Sequence, residues 1–412
     1  MEYVINSQVV LAQTPEGPLS PYLGPFAKSL KERGYAPCSI HRHVLLSACF
    51  SRWLNQHRIA LAGITSDHPS QYLRFRARHL RPGFGDAAAL DHLLDFLRSA
   101  KAVPPETDPP RRPTPAERCV QEYEQYLREA RGLADATIIN YVPFIHSFLT
   151  DRFSDDSVRL SLLSARDIVQ FVRRQAPNLH PKRAKLLTTA LRSFLQYLRY
   201  RGGIKRDLAA AVPVVPNWSM SSIPRAIPDD QIRQLLDSID RSTAVGRRDY
   251  AILLLLARLG LRSGEVTTLE LDNIDWKAGQ ISVRGKSGQR NELPLPKEVG
   301  KAIAAYLRNG RPRSICRRVF LRARAPVRGF LGSSGVGSIV RHRIQRAGVE
   351  APTRGAHQFR HGLATEMLRR GASLVEIGEL LGHGSPETTK IYTAVDLEAL
   401  RALALPWPGG VR

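Results

Sequence analysis

Six prolines fall within the thirteen residues from Val103 to Pro115 (VPPETDPPRRPTP). No continuous helix passes through such a stretch, because proline lacks the backbone N–H and its ring collides with the preceding turn. A second break runs from Ala211 to Pro228, with Pro213, Pro216, Pro224 and Pro228 spaced along it. Elsewhere apolar residues recur at helical spacing with few strand signals. Leu187, Leu191, Phe194, Leu195 and Leu198, for example, form the stripe of one amphipathic helix that stops at Gly202-Gly203. The expected organisation is therefore a helical module over 1–103, a Pro-rich linker over 104–115, a second helical module over 116–210, a linker over 211–227 and a third unit over 228–412.

The first two units echo one another. Leu30-Lys31-Glu32 is matched by Leu127-Arg128-Glu129, Gly34-Tyr35-Ala36 by Gly132-Leu133-Ala134, and Ser39-Ile40 by Thr137-Ile138. Val44 then matches Val142, and Phe50 matches Phe148. Each copy predicts a helix, a glycine stop, a Ser or Thr cap and a longer amphipathic helix. The order of the matches favours duplication of a small helical module over the chance likeness of two helix pairs.

The third unit is mixed. Asp249 to Arg258 predicts a helix stopped near Gly260, with Ser263 capping the next. Gln280–Arg284 (QISVR) and Asn291–Leu295 (NELPL) predict a hairpin around the turn Gly285–Arg290, with Lys286 near its tip. Helices return from Leu331. The stretch 311–328 holds Arg311, Arg313, Arg317, Arg318, Arg322, Arg324 and Arg328 without an acid. Like charges this dense repel one another unless an anion sits among them, so Arg317, Arg318, Arg322 and Arg324 are candidate DNA contacts.

Charge points the same way. The chain carries 61 Lys+Arg against 37 Asp+Glu, a formal +24, which asks for a polyanionic partner. Its longest aliphatic run, Ala251 to Ala257, is far too short to span a bilayer, and Met1-Glu2-Tyr3 does not begin a secretory signal. Cys38, Cys49, Cys119 and Cys316 form no CxxC pair, which suits a reduced compartment. A cytoplasmic, nucleoid-associated protein without a membrane role is expected.

His357, Arg360 and His361 share one face at the start of an apolar-periodic helix. A capping box at Ser373–Glu376 begins the next helix, which stops at Gly382 and leaves His383 in the turn. Ser385-Pro386 then opens a short helix carrying Tyr392. The His357/His361 spacing matches a zinc pair on a helix, but Gln358 stands where such a site needs its general base, and Arg360 would set a cation beside a dication. No metal or cofactor is called for. Phosphate fits better, because a guanidinium matches two non-bridging oxygens, imidazoles relay protons, and a tyrosine can act as a covalent nucleophile.

Five strings then occur in a telling order: Gly260-Leu261-Arg262-Ser263-Gly264-Glu265, Gly285-Lys286-Ser287, His357-Gln358-Phe359-Arg360-His361, Leu381-Gly382-His383 and Thr389-Lys390-Ile391-Tyr392. The stretch 228–395 resembles the tyrosine recombinases, the phage integrase family, and the second unit is similar to that family's helical core-DNA-binding domain. The resemblance implies a mainly α fold, with two helical DNA-binding modules before an α+β catalytic domain that holds a small antiparallel sheet. It implies that Tyr392 attacks the scissile phosphate to form a 3′-phosphotyrosyl bond, that Arg262 and Arg360 hold the non-bridging oxygens, and that Lys286 protonates the leaving 5′-oxygen. His357 would assist proton transfer, His383 would bond the phosphate and Glu265 would buttress the site. The amphipathic tail Asp396–Leu403, with Trp407, would dock on a neighbouring subunit and link a homo- or hetero-tetramer on double-stranded recombination sites. Phe359 stands where the family often has Leu, and Gly264 just precedes Glu265; neither departure removes a catalytic group.

The expected activity is that of a site-specific recombinase of a mobile element. A type IB topoisomerase shares the chemistry, and a DNA-binding regulator with an inactive catalytic fold is the alternative without chemistry. For residues 1–103, extra DNA contacts and protein docking both stand open.

Overall fold

The computed structural model describes residues 3–5, 9–11, 14–81, 83–104, 113–153, 158–215, 226–285, 288, 290–382 and 389. The chain forms two compact units, one of Thr107–Ser221 and one of Met1–Glu106 with Ser222–Arg412. Among the described residues no helix is long and apolar enough to cross a membrane.

The N-terminal part of the larger unit begins with an antiparallel pair, β1 (Tyr3–Ile5) and β2 (Val9–Leu11), in the register Tyr3↔Leu11. This pair precedes the helices of the module expected to be helical. Its signal was present in two β-branched triplets around Asn6-Ser7-Gln8, but each is only three residues long. Helices α1 (Ser20–Glu32), α2 (Pro37–Gln56), α3 (Asp67–Ala77) and α4 (Asp86–Ser99) follow. They close on a core that includes Leu23, Phe26, Leu30, Val44, Phe50, Leu90 and Leu97.

The smaller unit holds α5 (Pro115–Glu129), α6 (Asp135–Arg152), α7 (Ala165–Gln175) and α8 (Pro181–Tyr200). The stripe expected on α8 is fully buried, and it packs with Tyr123, Leu127, Ile138, Phe148 and Phe171. The paired positions Ile40/Ile138 and Phe50/Phe148 are buried in their respective cores, and Gly34 and Gly132 both turn left-handed. The expected caps are corrected. α2 starts after Ala36 and α6 after Ala134, neither with a side-chain cap bond, so Ser39 and Thr137 lie inside the first turns. Pro37 and Asp135 begin these helices instead; proline's fixed φ suits a first helical position, and an acid suits the positive end of the helix dipole.

The C-terminal part of the larger unit is built around α10 (Ala244–Arg258), where every residue from Ala251 to Ala257 is buried. A helix apolar on all sides must be enclosed. α9 (Asp229–Asp237), α11 (Ser263–Thr268), α12 (Lys297–Asn309), α13 (Ser333–Ala347) and α14 (His357–Arg369) pack around it, and α15 (Leu374–Leu381) leans on α14. A three-stranded antiparallel sheet runs in the order β3 (Ile274–Asp275), β4 (Gln280–Arg284), β5 (Arg290–Pro294), with Arg284 opposite Arg290 at the hairpin end. The two-residue β3 was not foreseen.

The two parts of this unit touch at one corner. The Val327 N–H donates to the Arg33 carbonyl at 2.9 Å. Gly34 sits so close that a Cβ there would lie 2.6 Å from Val327 Cγ2.

Candidate active site

α10 ends at Arg258, and the chain reverses through Gly260 at φ +60°, a conformation that favours glycine. Space also demands glycine here. A Cβ would lie 2.7 Å from Leu381 Cδ2 and 3.1 Å from Leu363 Cδ2, so α14 and α15 close directly on this turn. The turn delivers Arg262 to the N-cap position of α11, a place the sequence assigned to Ser263. Glu265 explains the difference. Its carboxylate accepts the Arg262 backbone N–H at 2.7 Å through Oε2 and the Arg262 guanidinium at 2.7 Å through Oε1. Glu265 is buried while the Arg262 side chain keeps 27% exposure, so the acid fixes a guanidinium that still reaches solvent.

Arg360, in the first turn of α14, is only 4% exposed. It donates to the Gly260 carbonyl at 2.8 Å and, from its other nitrogen, to the Leu381 carbonyl. Arg262 Nη2 donates to the Gly382 carbonyl at 3.3 Å. Two guanidiniums thus meet at the negative end of α15, where the helix dipole attracts cations. Gly382 takes φ +58°, and a Cβ there would fall 2.1 Å from Asn291 Nδ2 on β5. The β4–β5 hairpin therefore closes on the same corner.

His357 is the first residue of α14 and is exposed, while His361 is half-buried with its ring 6.2 Å from that of His357. Burial, followed by the neighbouring His357 and Arg360, holds the His361 imidazolium below its ordinary pKa. His361 is therefore neutral at pH 7. The positive end of the α14 dipole adds partial positive charge beside His357.

The described residues bring together Arg262, Glu265, Arg360 and His357. Lys286, His383 and Tyr392 lie outside the described residues, as do Lys390, the Ser385-Pro386 helix start and the tail from Asp396 to Trp407. Lys286 falls between β4 and β5, and His383 directly follows Gly382. Sequence reasoning missed two residues here. Asn291 carries no motif, and Gln358, weighed only as a missing base, is fully buried with no partner for either amide atom among the described residues.

The arginine run is less free than its composition suggested. Arg317 pairs with Asp272, Arg318 pairs with Glu270 at 3.4 Å and donates to the Thr268 carbonyl, and Arg311 donates to the carbonyls of Arg318 and Val319. The premise that no acid answers these charges is corrected: the acids arrive from 270–272, over forty residues upstream. Arg322 is half-buried in a small loop where its N–H meets the Arg328 carbonyl at 2.9 Å. Arg313, Arg324 and Arg328 are exposed, and among the described residues none has a carboxylate partner.

Two arginines converge on one helix terminus, one of them clamped by a buried carboxylate, on a helical scaffold. The phage integrase family matches residues 225–398, and the family's N-terminal SAM-like domain matches 120–202. A putative integrase/recombinase of Sinorhizobium fredii, y4rA, is 57% identical over 99% of both chains. The tyrosine recombinase XerD of Listeria innocua is 31% identical over 67% of this chain and 93% of its own. The XerH recombinase, solved on a palindromic difH substrate after cleavage, shares the fold with a TM-score of 0.55, at 20% identity over 70% of this chain and 84% of that one. The chain belongs to the phage integrase family of tyrosine recombinases, enzymes that cleave DNA strands and transfer them.

Proposed function

We propose that this chain breaks and rejoins strands at specific DNA sites through Tyr392, and that it serves a mobile element. The phenolic oxygen attacks phosphorus, forming a 3′-phosphotyrosyl ester and expelling the 5′-oxygen, which takes a proton from Lys286. Arg262 and Arg360 stabilise the charge that gathers on the non-bridging oxygens, with Glu265 orienting Arg262. His357 moves a proton with the tyrosine, and His383 bonds the phosphate. Because the ester stores the bond energy, rejoining needs no nucleotide cofactor.

The observation that best supports this reading is the meeting of both guanidiniums at the carbonyls of Leu381 and Gly382, immediately before His383. Fixed donors aimed at developing charge are commonly the largest contribution to such a barrier, and loss of one costs roughly 100–1000-fold in rate. Likeness along its whole length to a chain described as an integrase/recombinase supports the strand-exchange reading. Docking of the tail segment Asp396–Leu403 on a neighbouring copy, giving a tetramer, belongs to the same reading.

A duplex nicked just beyond the scissile phosphate tests it, since diffusion of the short 5′-hydroxyl fragment traps the covalent complex. Wild type accumulates adduct, Arg262→Gln forms it about 100–1000-fold more slowly, and Tyr392→Phe forms none while still binding. Adduct formation by Tyr392→Phe would overturn the assignment. A topoisomerase would relax plasmid without pairing two sites, whereas recombinant product that requires two cognate sites supports strand exchange.

A further inference from the structure

Residues 74–81 (RFRARHLR) carry four arginines and a histidine without an acid, at the end of α3 and just beyond it. Arg76 is committed internally, since it and Arg42 both bind the Asp86 carboxylate. Arg74, Arg78, His79 and Arg81 are exposed, and among the described residues the three arginines have no carboxylate partner. Cations at a helix C-terminus often answer only the helix dipole, and Arg74 and Arg78 fit that reading. Arg81 lies beyond the helix, and the apolar residues around it need another explanation.

Those apolar residues are Phe75, Leu80 and Phe84, all exposed, with Phe84 entirely in solvent. The Phe84 backbone is nevertheless fixed. Arg42 donates to its carbonyl at 2.6 Å, Asp86 accepts the Gly83 N–H at 2.9 Å, and the Asp86 N–H returns to the Gly83 carbonyl at 3.2 Å. A Cβ at Gly83 would lie 2.5 Å from Arg42 Nη2 and 2.7 Å from Asp86 Oδ1, so a larger residue would press on this ion pair. Burial alone would raise the Asp86 pKa, but bonds from Arg42, the Gly83 amide and Arg76 together hold it below the usual value. A buried, ionised carboxylate and two arginines thus brace a loop that holds one bare phenyl ring out in solvent, a few residues along the chain from three arginines without a carboxylate partner among the described residues.

We infer that α3 and the Gly83–Asp86 loop form a second duplex-binding surface, with Arg74, Arg78 and Arg81 on the phosphates and Phe84 against the bases of a groove. Charge selects the occupant. Residues 74–81 hold four arginines and no acid, so a polyanion studded with flat apolar rings matches both halves of the patch. Proteins that pair cations with an apolar wedge use the wedge to unstack a base step and kink the duplex. The inference takes DNA as partner, as the proposed function does, and adds a contact far in sequence from the catalytic motifs.

The test uses full-length protein and a fluorescein-labelled duplex of arbitrary sequence, with anisotropy read across a salt series. The triple variant Arg74→Gln/Arg78→Gln/Arg81→Gln should flatten the slope of log K against log salt by roughly 2–3 units and weaken binding at physiological salt at least about tenfold. Phe84→Ser should weaken binding with the slope unchanged. All four positions are exposed, so an unchanged melting temperature verifies folding. Wild-type slope and affinity in the triple variant would overturn the inference, as would intact DNA binding with altered sedimentation, which marks a protein contact. Trapping per bound molecule on the nicked duplex is measured alongside. Its absence in wild type would sink the tyrosine chemistry and leave the slope result standing.

Discussion

Gly260 and Gly264 lie four residues apart and do opposite work. Gly260 is left-handed and pressed by Leu381 and Leu363, whereas nothing stands within 4 Å of a Cβ at Gly264, which is helical. Gly260→Ala should cost about 1–3 kcal/mol in urea unfolding, because alanine is strained at positive φ. It should also slow cleavage by shifting the carbonyl that Arg360 holds. Gly264→Ala should leave stability unchanged or raise it by about 0.5–1 kcal/mol, since alanine loses less entropy in a helix. His361 gives a second prediction at this scale. Its folded pKa lies below 6.5, so the unfolded chain binds the proton more readily. Its contribution to stability is therefore complete above pH 6.5 and is lost as pH falls through the folded value. NMR titration should place the His361 ring below 6.5, and His361→Gln should lessen the loss of stability across that range; a midpoint at or above 6.5 would contradict the burial seen here.

Between elements, Asp249 on α10 forms a buried polar link. It accepts from Arg248 at 2.7 Å and from Arg343 of α13 at 2.6 Å, and all three side chains are largely shielded from water. Arg248 also donates to the Leu321 carbonyl at 3.1 Å. Asp249→Ala would leave two guanidiniums without a counter-charge and should cost about 3–5 kcal/mol in denaturant unfolding. No sequence pattern announces this network, because Arg343 stands ninety-four residues away. The same limit explains the other differences between sequence and structure. Helix stripes, glycine stops and the Ser373–Glu376 box were legible because each is a local pattern, and α8, the Gly382 stop and that box formed as expected. The pairing of Arg317 and Arg318 with Asp272 and Glu270, the closure of Asn291 on Gly382, and the bracing of Phe84 by Arg42 all join distant segments. Composition therefore overstated how many arginines of 311–328 stand free. In the candidate site, the motif order disclosed Arg262, Glu265, His357 and Arg360, but not the carbonyls that hold both guanidiniums in place.

For the whole molecule, the excess of cations and the family membership converge on DNA. Duplex binding by the second helical module belongs to the proposal. Deleting 116–210 should sharply weaken duplex binding, and unchanged affinity would remove that module from the DNA-binding surface. The most direct test of the whole reading is to digest a trapped protein–DNA adduct and locate the nucleotide-bearing residue by mass spectrometry. The nucleotide is expected as a 3′-phosphate ester on the peptide containing Tyr392. A linkage on any other residue, or no linkage with authentic target DNA, would contradict it.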